Sequence, residues 1–515
     1  MQRRVIMGMM VMALLVFTAS AWGGTEGTFN TFYGEGAGAS TTGDNYWDTF
    51  IGAAAGRENT TGHDNTFLGS FTAQFNTTGS SNTFLGSKAG FYNTAGRENT
   101  FVGAHAGWAN TTGRENTFLG YQAGYFNTSG VNNTFLGYQA GRFNNTGREN
   151  TFLGWNAGYS NSTGASNTFL GHAAGKTNNT GRANTFLGEG AGYKNTTGRE
   201  NTFVGASAGV ANTTGNANTF LGLGAGGANT SGGYNTFLGY WTGVANTTGN
   251  NNIFLGYMAG VANTTGNNNI FLGFDVGHSN TTGYNNTFLG YQVGTMNKNG
   301  YNNTFLGYQV GQNNKDGYNN TFLGYQAGHN NTAGAGNVLL GYKAGYSETG
   351  SSRLYIANSD TATPLIYGEF GNKILSLNGK VGVGKKPSTH PLEMASGAHV
   401  TTGGVWTNAS SREYKDDIEA LSSQEAFNTL EGLNPVKFAY KADRTERHVG
   451  FIAEDVPDLI ATKDRKGLSP MDIVAVLTKV VQEQGKTIQE LSSEMKELKK
   501  ELKSREVATD SASRR

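Results

Sequence analysis

Cysteine is absent from the 515 residues, so the chain was not built as a disulfide scaffold. Charge is scarce too: Asp, Glu, Lys and Arg make up 15% of the residues and the formal net charge is +1. That balance argues against nucleic acid or an anionic surface as partner. Carboxylates are thin where a glycan-cleaving spike would need two of them flanking a cleft. The long central region has Glu only at scattered turn positions such as Glu115 and Glu149. What the chain has in excess is glycine, 78 residues or roughly twice the usual share.

The glycines belong to a repeat. Asn65-Thr66-Phe67-Leu68-Gly69 opens a 17-residue phrase that returns without a slip to Phe322. Phe32 and Phe50 extend it before and Leu339 after, making 19 units. A period below 20 residues is too short for a helical hairpin, and each unit is expected to be one coil of a stacked β structure. Thr-Phe-Leu is a short-strand composition. Asn at the twelfth position and Gly at the fifteenth, from Asn76/Gly79 to Asn331/Gly334, match a type I turn with Asn capping it. Seventeen extended residues span roughly 56 Å, which fits a flattened coil of two short strands and two turns. Stacking would then build ladders of identical Phe, Asn and Thr side chains.

Neighbouring strand residues face opposite ways, so Phe67 and Leu68 cannot both enter the coil. If Phe fills it, an outer row of Leu or Val needs a cover, and sister chains are the expected source.

Before the array, Arg3 and Arg4, an apolar run from Val5 to Phe17, and Ala19-Ser20-Ala21 read as an export signal over 1–21. The run is short for a membrane span, which is the competing reading. Export places the array, 22–341, at the cell surface or outside the cell. Residues 342–409 are expected to form a narrower β stalk of short strands. Within it, Gly379 to Lys386 approaches a phosphate loop but has Lys386 where Ser or Thr belongs and Pro387 where a helix should start. Gly222, Gly224 and Gly227 spell a dinucleotide fingerprint, yet they belong to the repeat turn. No cofactor, metal or nucleic-acid site is therefore expected.

From Ser410 the composition becomes that of a charged α+β domain. Ser469 can cap a final helix, with Pro470 in its first turn and Asp472 three residues on from the Ser. Val474, Leu477, Val481, Gln484, Ile488, Leu491, Met495, Leu498 and Leu502 follow at steps of three and four, a coiled-coil seam within 470–503. An amphipathic helix packed on its own domain is the alternative. The β-branched residues in the seam lean towards two strands, whereas Gln484 and the array's geometry allow another number.

Ser410-Ser411-Arg412-Glu413-Tyr414-Lys415-Asp416-Asp417-Ile418, Leu433-Asn434-Pro435-Val436-Lys437-Phe438, His448-Val449-Gly450-Phe451-Ile452-Ala453-Glu454-Asp455-Val456-Pro457 and the terminal helix occur in that order. Together, over 410–515, they resemble the intramolecular chaperone domain of endosialidases and phage tail spikes, a family of self-cleaving serine peptidases with a Ser-Lys dyad. The resemblance implies a homotrimer, a domain that assists folding of a β-rich fibre, Ser410 as nucleophile, Lys415 as general base and a cut between Ala409 and Ser410. Ser411 stands where the family has Asp or Asn. Ser411 and His448 are candidates for supporting the site.

The chemistry agrees with that assignment. A Ser hydroxyl needs a base, and a Lys serves as one only when desolvated. Positions five apart do not share a helix face, so the pair belongs in a turn or strand. More loosely, the array resembles the β-roll heads of trimeric adhesins. A mainly β surface fibre, matured by self-cleavage, is the leading functional reading. A glycan- or ice-binding rod is the alternative, resting on recurrent Tyr121, Tyr138, Tyr291, Tyr308 and Tyr325 and on paired Thr in the turns.

Overall fold

The computed structural model describes residues 29–42 and 47–512. The chain divides into two compact units, one ending at Lys380 and the other starting at Val381. The expected export signal, 1–21, lies outside the described residues.

The first unit is a β-solenoid. Its strands run from β1 (Thr31–Tyr33) to β19 (Val338–Leu340), one per coil, and they pair in parallel and in register. In β7 (Thr134–Leu136) and β8 (Thr151–Leu153), Thr134 faces Thr151, Phe135 faces Phe152 and Leu136 faces Leu153. Two strands per coil were expected and only one forms. After Leu136 the backbone turns left-handed at Gln139 (φ 56°), Gly141 (φ 59°) and Glu149 (φ 58°), which no strand accommodates. Gly141 could be nothing else: a Cβ there would lie 2.5 Å from atoms of the Phe135 ring.

Although irregular, the turns are not loose. Gln139 N donates to Tyr121 O (2.9 Å), Gly141 N to Ala157 O (2.9 Å) and Phe143 N to Tyr159 O (2.9 Å). The inter-coil ladder therefore continues round the coil and leaves few backbone groups to solvent.

The coil interior has an apolar half and a polar half. Phe135 and Ala140 occupy the first, Asn133 and Asn144 the second, all four at 0% exposure. The Phe rings stack coil on coil, Phe135 on Phe152 at 4.8 Å and 4°, each burial contributing about 2–3 kcal/mol. The asparagines form two ladders. Asn133 Nδ2 donates to Asn116 Oδ1 (3.0 Å) and Gly147 O (2.8 Å). Asn144 Nδ2 donates to Asn127 Oδ1 (2.7 Å) and the same Gly147 O (3.0 Å).

From Asn76 to Asn297 the twelfth-position Asn thus donates to the carbonyl three residues on, where the sequence pattern suggested an Asn cap for the turn. From Asn76 to Asn280 its oxygen accepts from the Asn of the next coil, as Asn144 Oδ1 does from Asn161 Nδ2 (2.6 Å), which partners the buried amide on both sides; the oxygens of Asn297, Asn314 and Asn331 lack that link. Gly147 fits against this arrangement only without a side chain, since a Cβ would sit 2.2 Å from Asn144 Oδ1.

Leucine lies outside, as expected: Leu136 is 41% and Leu153 36% exposed. The array ends where β20 (Arg353–Ile356) adds in parallel to β19 and the chain then doubles back through β21 (Ile366–Glu369) and β22 (Ile374–Leu377), both antiparallel. Tyr355 takes the interior position of the missing Phe and donates its hydroxyl to Glu348 (2.7 Å). Segment 342–409 is accordingly shared: β20–β22 prolong the solenoid sheet, and the strands after Lys380 belong to the second unit.

That unit begins with a four-stranded sheet of β23 (Val381–Val383), β24 (Leu392–Met394), β25 (His399–Val400) and β26 (Trp406–Thr407). Helix α1 (Ser423–Glu431) follows, started by a capping box between Ser422 and Glu425. A hairpin of β27 (Val436–Tyr440) and β28 (Asp443–Gly450) leads to helix α2 (Pro470–Ala512), whose Asp472 N is capped by Ser469 Oγ (3.3 Å). Ala426, Val456, Ile460, Val476 and Val480 form the small core. The seam residues of α2 from Val474 to Leu502 named above point elsewhere, with their large apolar members 41–65% exposed. Among the described residues no helix is long and apolar enough to cross a membrane.

Removing one rung tests the ladder. In Asn150→Ala, Asn167 N and Nδ2 lose the acceptor they reach at 3.1 and 3.0 Å, and Gly164 O loses a donor at 2.8 Å. Chemical denaturation should show a loss on the order of 2–5 kcal/mol, from about 1–3 kcal/mol per orphaned buried group.

Asp48 replaces Asn in one of these ladders. It accepts from Asn65 N (2.8 Å) and Asn59 Nδ2 (3.3 Å), and burial pushes its carboxyl up to about 7. A raised acid pKa means that the folded state holds the proton after the unfolded chain has released it. Stability is full below the usual aspartate range and falls as pH climbs towards 7. Asp48→Asn should abolish that decline, read as a melting midpoint that stays level from acid to neutral pH and exceeds wild type at neutrality.

Candidate functional site

Ser410 stands just before a 3-10 turn, Arg412–Tyr414. Ser411 starts the turn, its Oγ accepting from Glu413 N (3.3 Å), and Lys415 N closes it on Arg412 O (3.2 Å). The tight turn carries the chain back on itself, so Lys415 Nζ donates to Ser410 Oγ at 2.9 Å. Residues 410–415 are all solvent-exposed, and Ala409, on the other side of the expected cut, is half-buried. A hydroxyl, an amine in hydrogen-bond reach and a peptide bond to the preceding residue are thus brought together. Ser411 is placed as a cap for the turn. His448 lies on β28, its ring against those of Phe438 (5.8 Å) and Tyr440 (5.2 Å).

The sheet before the turn is locked by a carboxylate that sequence reasoning missed. Glu393 on β24 is 4% exposed. It accepts from the backbone of Ser388 (3.1 Å), Thr389 (2.7 Å) and His390 (2.7 Å) and pairs with Lys385 Nζ (3.2 Å). The backbone donors, of His390 and Thr389 first, hold its pKa far below the usual glutamate range. Nothing in the spacing around Glu393 marks it, because the loop that wraps it is recognisable only once folded.

The β24–β25 turn brings Gly397 (φ 88°) near Ala409 and Tyr414. A Cβ there would lie 3.1 Å from Tyr414 Cε2 and 3.2 Å from Ala409 Cβ.

On the array, the outer aromatic column is continuous from Tyr240 to Tyr342. Neighbouring rings lie 5.3 Å apart for Tyr240 and Tyr257, 5.0 Å for Tyr308 and Tyr325, and 5.2 Å for Tyr325 and Tyr342. Stacked ring on ring, they spend their faces on each other and present edges and hydroxyls outward.

Residues 410–463 match the family model for the chaperone of endosialidase. No curated protein and no solved structure matches the chain. The protein is a mainly β chain in which a solenoid of about 19 turns precedes a segment that matches the chaperone-of-endosialidase model. That build fits a tail-fibre-like structural protein. The matched family is one of self-cleaving intramolecular chaperones, consistent with autoproteolysis.

Glu393→Gln should loosen the β23–β26 sheet. A depressed carboxylate contributes stability that is present at neutral pH and lost as pH falls below the ordinary glutamate range. The variant is therefore expected to melt earlier than wild type at pH 7, with the gap closing in strong acid, as followed by hydrogen exchange of the sheet amides.

Proposed function

We propose that this chain is an exported, trimeric surface fibre whose domain 410–515 trimerises and chaperones the solenoid and then cuts itself off between Ala409 and Ser410. The observation that carries the reading is the 2.9 Å contact of Lys415 Nζ with Ser410 Oγ in the turn after the cut. Lys415 takes the Oγ proton as Oγ attacks the Ala409 carbonyl. An ester bond forms, the Ala409–Ser410 amide bond breaks, and the proton passes to the leaving nitrogen. Water then hydrolyses the ester, leaving a carboxylate on Ala409 and a free amine on Ser410.

Timing follows from solvation. Both side chains are exposed in the single chain, and a lysine acts as a base only in a dry site. Sister chains supply that cover when they pack, so cutting waits for assembly. Two surfaces support this order, the outer leucine row of the solenoid and the exposed seam of α2, each apolar and uncovered within one chain. Identical coils pair out of register at little cost. A clamp that aligns three C-termini gives them one starting register, and its removal traps the product kinetically.

On a denaturing gel, wild type should release a fragment of about a fifth of the 54.5 kDa chain, whereas Ser410→Ala and Lys415→Ala remain full length. Sedimentation of the mature fibre should give a trimer. A well-behaved monomer, or unchanged release from Ser410→Ala, would overturn the proposal.

A further inference from the structure

Two residues on either side of Ser410 come near the same turn. Ala409 lies before Ser410 and Tyr414 just before Lys415, and a Cβ at Gly397 would lie 3.2 Å from Ala409 Cβ and 3.1 Å from Tyr414 Cε2. Gly397 is held in place from several sides. Its N donates to Met394 O (2.9 Å), Met394 N donates to Ala398 O (2.8 Å), and His399 Nδ1 lies 3.1 Å from Gly397 O. The pairing of β25 with β26 sets His399 against Thr407 and Val400 against Trp406, which delivers the chain to residue 409. Behind it, the Glu393 lock fixes β24. Tyr414 is 57% exposed, so its ring adds little to any core.

Resting on the self-cleavage reading above, we propose that the β24–β25 turn is the platform on which the scissile segment is aligned, with Gly397 and Tyr414 as positioning residues. Clamping Ala409 and Tyr414 to one spot fixes both ends of the loop carrying Ser410 Oγ, Lys415 Nζ and the Ala409 carbonyl. The site is therefore built from both sides of the bond it breaks. After the cut the platform stays with the fibre, and the released 410–515 domain lacks it.

The test is the rate of fragment release from the full chain. Gly397→Ala adds a Cβ against Tyr414 and Ala409 and should slow release by about 10- to 100-fold, the scale of a small misplacement of reacting groups. The pH profile should stay unchanged, because the Ser-Lys pair itself is intact. Gly397→Asn strains the left-handed backbone less than Ala does but carries the same Cβ, and should be as slow as Gly397→Ala. Wild-type speed in Gly397→Asn would reduce the effect to backbone strain and overturn the proposal. Tyr414→Phe should release normally and Tyr414→Ala slowly. Because Tyr414 is exposed, this pair carries the test should the glycine variants misfold, and equal rates for Tyr414→Ala and wild type overturn the platform. Normal cutting by Gly397→Ala and Tyr414→Ala with Ser410→Ala still blocked defeats the platform alone, whereas release from Ser410→Ala defeats the cleavage reading itself.

Discussion

An asparagine amide sealed inside a coil of this solenoid finds its partners in the same asparagine one coil above and one coil below. Asn133 reaches Asn116, and Asn150 reaches Asn133, at 3.0 Å each. A single coil would bury two amides without enough partners, at a cost that its one Phe cannot offset. Stability is consequently a property of neighbours, as in other solenoids, and grows by adding coils to an existing stack. The glycines follow from the same close stacking: the ring ladder leaves no room for a Cβ at Gly141, the amide ladder none at Gly147, and the next coil's backbone none at Gly137.

A structure held by identical rungs carries an intrinsic weakness in assembly. Every 17-residue shift satisfies nearly the same hydrogen bonds, so the native register needs a starting point rather than a better fit at each step. The array closes by losing its repeat: Leu339 replaces Phe, Tyr355 fills the next interior place, and the sheet turns antiparallel. The helix α2 shows a comparable division of labour. Val476 and Val480 serve the domain's own core, while the seam on another face is exposed.

The proposed cleavage site separates geometry from environment. The capped 3-10 turn places Lys415 beside Ser410 with no help from assembly, yet leaves both in water. On the proposed reading, a cover supplied by assembly couples chemistry to the completion of folding, since the cover and the assembled fibre come from the same contacts.

The sequence by itself determined the period, the number of coils, the inward Phe and outward Leu, the Ser469 cap of the final helix and the nearness of residues 410 and 415. Each follows from local periodicity or from spacing within a few residues, where backbone geometry allows few alternatives. Only the tertiary structure decided that each coil has one strand, that Asn144 points inward, that the segment expected as one stalk divides at Lys380, and that Gly397 and Glu393 stand behind the site. These depend on which surfaces meet: a left-handed turn, a buried amide or a loop wrapped round a carboxylate is paid for by contacts from chain distant in sequence or in the next coil, and no local pattern records them.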